Sequence, residues 1–178
     1  MRQTLILHPD SASDAVKWIE VELSRPEPAQ VRLHYKLGGY VGDLAIPGHA
    51  EPVRAEGLWQ HMCFELFVRA QDEAGYLEFN FSPSTQWAAY RFSGYRTGAG
   101  DAPDGLEPRI RFLSGANGLA LMAAIDGLPA RDWRLGLSAV IEETDGNKSY
   151  WALAHPPGPP DFHHETCFAL ELPAAGAP

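Results

Sequence analysis

Residues Leu58–Phe92 read LWQHMCFELFVRAQDEAGYLEFNFSPSTQWAAYRF, three strand-like runs in succession. Successive side chains of a strand point to opposite faces. In Cys63–Val68 that sets Phe64, Leu66 and Val68 on one face and Cys63, Glu65 and Phe67 on the other. In Leu77–Phe81 it sets Leu77, Phe79 and Phe81 together, with Glu78 and Asn80 opposite. Trp59 and His61 share the parity of Glu65, so an extended chain would line up an indole, an imidazole and a carboxylate on one side. Rings that cover apolar C–H faces, beside carboxylate and amide groups that take hydroxyls, make a surface suited to a sugar. In that arrangement an ionised Glu65 accepts only, while the Asn80 amide both donates and accepts. A plain packing account fits the same residues: Glu78 paired with Arg91 on the next strand, Asn80 tying down a loop, and the aromatic stripe as core.

Outward from this stretch the same two-residue period recurs. Val16–Leu23 and Val31–Leu37 alternate, the second with Val31, Leu33, Tyr35 and Leu37 against Arg32, His34 and Lys36. Pro26 and Pro28 make Ser24–Gln30 a turn, and Gly38-Gly39 interrupts the strand before it. Val41–Ile46 reads as a short strand ended by Pro47-Gly48, and Ser93–Pro108, rich in Gly, Asp and Pro, as a long loop. Arg109–Leu113, Leu119–Ile125, Trp133–Glu142, Tyr150–Ala154 and Phe168–Leu172 are further strands, with a hairpin turn at Asp145-Gly146-Asn147. Asp10–Trp18 is the one helix candidate, with Asp10 or Ser13 as its N-cap. About ten short strands at this spacing predict an all-β, single-domain antiparallel β-sandwich spanning 1–178, with Pro173–Pro178 as a disordered tail.

A chain of 178 residues buries about 70% of its unfolded surface, enough for one core without disulfide or metal staples. Its 45% hydrophobic content excludes a disordered chain. The net charge of −9, with no Lys/Arg cluster, argues against nucleic acid and against anionic membrane surfaces. Leu5–Leu7 is too short for a signal-peptide core, and no run nears the ~18 apolar residues of a membrane span. A cytoplasmic protein with Cys63 and Cys167 as reduced thiols is the expectation; export by another route would allow a Cys63–Cys167 bridge. Nothing in the sequence sets the oligomeric state.

The run His155-Pro156-Pro157-Gly158-Pro159-Pro160-Asp161-Phe162-His163-His164 is the second informative segment. Its four prolines stiffen the backbone and set Phe162 up as an aromatic wall opposite Trp59. Adjacent His163 and His164 point apart in an extended chain, so they do not chelate one ion together. Asp161 and His163 share parity, but a third ligand would have to come from His61 or His155. A loop held by hydrogen-bonded imidazoles is the plainer account, and no metal or other cofactor is expected. There is no nucleophile elbow, HExxH or phosphate-cradling glycine loop. Glu65 and Glu78 are the one candidate carboxylate pair for a glycosidase. A hydrogen-bonded Glu in a binding groove is simpler, so the chain is read as non-catalytic.

At Trp59-Gln60-His61-Met62-Cys63-Phe64-Glu65 and Tyr76-Leu77-Glu78-Phe79-Asn80 the chain resembles the family 9 carbohydrate-binding modules and the wider DOMON-like superfamily. Over Leu58–Tyr95, Trp133–Glu143 and Ser149–Leu172 it is similar to the bacterial DOMON-like proteins of unassigned function, within a resemblance running from Val16 to Leu172. The resemblance implies a β-sandwich that holds a small carbohydrate or glycan end, with Trp59 and Glu65 as ligand residues and Asn80 in the pattern. Where the family has a second Trp in the penultimate loop, this chain offers Phe162 or His163. Where it has a basic residue on the second strand, this chain has Glu78. A haem-binding branch of the superfamily implies a Met and a His, for which Met62 and Met122 are the candidates. A structural or protein-interaction module with no small ligand is the other alternative.

Overall fold

The structure, a computed structural model, describes residues 1–174. Its strands are β1 Arg2–Leu7, β2 Val16–Ser24, β3 Val31–Gly39, β4 Cys63–Ala70, β5 Tyr76–Phe81 and β6 Trp87–Phe92. They continue with β7 Gly100–Asp101, β8 Arg109–Gly115, β9 Gly118–Ile125, β10 Trp133–Glu142, β11 Lys148–Ala152 and β12 Leu170–Leu172. Short 3-10 turns lie at Val41–Asp43, Leu58–Gln60 and Glu165–Cys167. Every strand pairing is antiparallel, in the order β7-β6-β5-β4-β10-β11-β1-β2-β3-β9-β8, with β12 beside β10. β1 belongs to both halves of this order. Arg2–Leu5 pair with β2, whereas Ile6 and Leu7 pair with Ala152 and Trp151 of β11. The ladder thus curls into two facing sheets, β1-β2-β3-β9-β8 and β7-β6-β5-β4-β10-β11, joined along β1.

One apolar cluster fills the space between the sheets. The first sheet contributes Val31, Leu33, Tyr35 and Leu37 of β3 and Leu119, Leu121, Ala123 and Ile125 of β9. The second contributes Phe64, Leu66 and Val68 of β4, Phe79 and Phe81 of β5, and alternate residues of β10 from Leu135 to Ile141. These are the faces that strand alternation predicts. Tyr35 crosses the core: its ring lies 5.2 Å from that of Phe64, and its hydroxyl donates to the Glu65 carbonyl at 2.6 Å. The architecture is the all-β antiparallel sandwich.

Four local expectations change. Asp10–Trp18 is not helical; β2 begins at Val16, and a bulge between Val16 and Trp18 shifts the register. The bulge brings Val16 and Ile19 inward three residues apart, a spacing that imitates a helix in the sequence. Val41–Ile46 is a 3-10 turn followed by a single bridge from Leu44 to Glu143. Ser93–Pro108 contains the short β7, and Arg2–Leu7 is a strand that its brief apolar run did not announce. Of the expected tail, Pro173 and Ala174 are tied down: Arg25 donates to the Pro173 carbonyl and the Ala174 amide donates to Asp132. Residues 175–178 lie outside the described residues.

Candidate functional site

The outer face of the second sheet carries the side chains that alternation turns away from the core. The registers align Glu65 with Asn80 and Ser138, Phe67 with Glu78, and Glu78 with Tyr90. Tyr76 with Phe92, and Val140 with Tyr150, continue the same face. The loop after β11 folds back over part of it, and Phe162 and Phe168 pack with Phe67, Tyr76, Val140 and Ala152 in a second apolar cluster. What stays open is a cleft of about 840 Å³, a size suited to a small ligand. Glu65, Phe67 and Glu78 floor it; Trp59, Tyr90, Phe92, Tyr150 and Phe162 supply aromatic walls.

Both floor carboxyls are nearly sealed, Glu65 at 3% exposure and Glu78 at 6%. They are diagonal neighbours on adjacent strands, because Glu78 sits two residues before the Asn80 that faces Glu65. Burial, and then the charge of Glu78, push the Glu65 carboxyl up to about 8, against the opposing hydrogen bond from Ser138. The buried pair therefore keeps a proton above the ordinary carboxylate range, where an acceptor-only carboxylate was expected at Glu65. Burial also raises Glu78, offset by the Asn80 amide and the Arg96 charge. The Ser138 hydroxyl donates to Glu65 Oε2 at 2.9 Å, and Asn80 Nδ2 donates to Glu78 Oε1 at 2.7 Å.

His163 closes the floor from the proline-rich loop. The Arg96 main-chain N–H donates to the Tyr76 hydroxyl, which in turn hydrogen-bonds with His163 Nδ1 at 2.7 Å. His163 Nε2 lies 3.6 Å from Glu78 Oε2, an approach too long for a hydrogen bond. Burial, and next the Arg96 charge, lower His163 to about 4, so the ring is neutral in ordinary buffers.

Two loop devices hold the walls. Gly57 takes the left-handed conformation at φ 71° ahead of the Leu58–Gln60 turn, where any side chain would be strained. That turn leaves Trp59 54% exposed against the cleft, so the indole is neither core nor part of an extended strand. Opposite it, Asp161 accepts from Arg96 Nη2 at 2.7 Å, from the Tyr95 hydroxyl at 2.5 Å and from the His163 amide at 3.1 Å. His155 Nε2 donates to the Ile6 carbonyl at 2.8 Å, anchoring the other end of the loop on β1.

Of the residues singled out from sequence, Trp59, Glu65, Glu78, Phe162 and His163 line one cleft. Asn80 does not; it is fully buried and positions Glu78. His61 turns away, its Nδ1 2.9 Å from Glu142 Oε2, because the 3-10 turn breaks the parity with Glu65. Arg91 pairs with Leu77, on the other face of the sheet from Glu78, so it is not the partner of Glu78. His164 points away from His163 and caps the Glu165–Cys167 turn. Among the described residues no three His, Cys, Asp or Glu side chains converge on a metal position. Met62 is sealed in the core, and Met122 lies on the first sheet opposite His34, far from this cleft in the strand order. Both cysteines are free and buried. Tyr90 and Phe92 were missed although their alternation in β6 carried the signal. Tyr150, Lys148 and Arg96 needed long-range pairing that no local pattern reveals.

The fold has relatives among solved structures. A Bacteroides uniformis protein provisionally described as carbohydrate-binding superposes with a TM-score of 0.64 at 13% identity, over 94% of this chain and 83% of that one. A family 9 carbohydrate-binding module from Caldicellulosiruptor kristjanssonii, in complex with cellotriose, superposes with a TM-score of 0.52 at 11% identity, over 84% of this chain and 70% of that one. At these identities the likeness is one of fold. No protein-family model matches the chain, and no curated protein does.

Proposed function

We propose that this protein is a non-catalytic module of DOMON-like type that holds a small carbohydrate or glycan end in the cleft of the second sheet. The observation that carries this reading is the exposed Trp59 indole on the wall of a cleft floored by two buried carboxyls. A sugar ring lays its C–H face on the indole, while its hydroxyls meet a carboxyl pair that both donates and accepts. Phe162, from the clamped proline loop, stands in the wall where a second indole would close the groove. The fold shared with carbohydrate-binding proteins supports the same ligand class.

The test is calorimetric titration with glucose, cellobiose and cellotriose. Trp59→Ala should weaken the ligand that binds by about 1–3 kcal/mol, the worth of a ring-sized apolar contact, and leave the melting temperature nearly unchanged, since the indole is half exposed. Binding that survives the substitution intact would place the site elsewhere, and a collapse in melting temperature would make the ring part of the packing.

A further inference from the structure

The floor of the cleft carries two adjacent buried carboxyls with, among the described residues, no charged cation in contact with them. Glu65 Oε2 and Glu78 Oε1 have donors in Ser138 and Asn80; among the described residues the other oxygen of each has none. Both carboxyls are more than nine-tenths buried and line the cavity. The two cationic side chains at the rim are engaged elsewhere. Arg96 is held by Asp161, and Lys148 donates to the Gln60 carbonyl with Glu142 3.9 Å away. His163, whose Nε2 lies 3.6 Å from Glu78 Oε2, is neutral. Two adjacent buried carboxyls without a cation repel when both ionise, and the present protein relieves this by keeping one protonated.

We infer that the cleft prefers a sugar bearing a free amine, its ammonium seated between Glu65 and Glu78 and its ring against Trp59. This rests on the carbohydrate reading and narrows it. An ammonium brings three donors and a positive charge to two open carboxyl oxygens, where a hydroxyl brings one donor and no charge. The aromatic rings around the floor, Tyr90 and Phe92 on β6 and Phe67 on β4, add faces that attract a cation. The spacing is suitable, because diagonal cross-strand neighbours stand roughly 7–8 Å apart and both carboxyls line the same cavity.

Seating the ammonium also changes the protonation of the floor. The titratable groups facing Glu65 are Glu78 on β5 and, beside it on β4, Cys63, whose thiol burial keeps protonated. On the core side the Tyr35 hydroxyl meets only the main-chain carbonyl. Glu78 faces His163 from the proline loop and Tyr90 from β6, with the Arg96 charge beyond. Of these, the adjacent carboxyl pair is the group poised to lose a proton when a cation arrives, so binding of an amine releases a proton.

Titrate the intact protein at pH 6.5 with glucosamine, N-acetylglucosamine, glucose and cellotriose, in two buffers of different ionisation enthalpy. Glucosamine should bind at least tenfold tighter than glucose and N-acetylglucosamine, with release of up to one proton that the neutral sugars do not cause. Glu78→Gln, which retains an acceptor for Asn80, should bring the ratio of glucosamine to glucose close to one. Equal affinities, or proton release shared by glucose, would overturn the inference and leave the carbohydrate reading standing. Failure of the monosaccharides while cellotriose binds would do the same. Failure of every sugar would remove both.

Discussion

Glu65 and His163 tilt the stability of this protein in opposite directions with pH. Glu65 is raised from 4.5 to about 8 by burial and by Glu78, so its contribution is complete below its unfolded value and is lost as pH climbs through 8. His163 is lowered from 6.5 to about 4 by burial and by Arg96; its contribution is complete above 6.5 and is lost as pH falls toward 4. The two slopes cancel between pH 4.5 and 6.5. Above 6.5 the His163 slope no longer offsets that of the Glu65–Glu78 pair, so stability falls as pH rises toward 8. Glu65→Gln, an uncharged isostere, should therefore flatten the melting temperature across pH 6.5–8 and exceed wild type at the alkaline end, while falling more steeply below 6.5. Parallel pH profiles for the two proteins in differential scanning calorimetry would contradict this. Parity placed both carboxyls on the outer face, which the sequence made plain. Their burial was not legible, because it depends on Phe162, Phe168 and His163 arriving from a distant loop late in the chain.

At the scale of elements, strands β2 to β6 and β8 to β11 were legible because each buries one face and exposes or differently buries the other, leaving a two-residue period. The failures have local causes. The bulge in β2 brings Val16 and Ile19 to one side. In β1 the outward Ile6 sits between the inward Leu5 and Leu7, so the apolar run Leu5–Leu7 hides the alternation. Loops 93–99 and 155–164 showed only composition, yet Asp161 binds them into one wall through Tyr95, Arg96 and the His163 amide. Water screens these bonds on the Arg96 and Tyr95 side, so Asp161→Ala should speed amide exchange in both loops by a few-fold, up to about tenfold. Exchange in β4 and β10 should stay unchanged, and sugar affinity should fall by about the same factor as the loops open. Unaltered loop exchange would mean that the prolines alone set this wall.

For the molecule as a whole, β1 is the seam that makes one sandwich of two sheets and ties the core to the cleft. It pairs with β2 through Arg2–Leu5 and with β11 through Ile6–Leu7, and Leu5 enters the core at 2% exposure. The Ile6 carbonyl also receives His155 at the root of the proline loop, so the strand positions Phe162 and His163 without touching a ligand. Deleting residues 1–7 removes the Leu5 side chain, worth about 2–3 kcal/mol, and the ladders on both sides, and leaves the edges of β2 and β11 bare. The expected result is a melting temperature lower by roughly 10 °C or more, light scattering that rises with concentration, and a weakened sugar site. Ile6→Lys separates the causes, since this side chain is 57% exposed and its main-chain bonds persist. It should melt and bind as wild type does. Were the substitution as damaging as the deletion, the side chain at the seam would matter more than the ladder. Were the deletion harmless, each sheet would close on the core without β1, and the loop would need no anchor at Ile6.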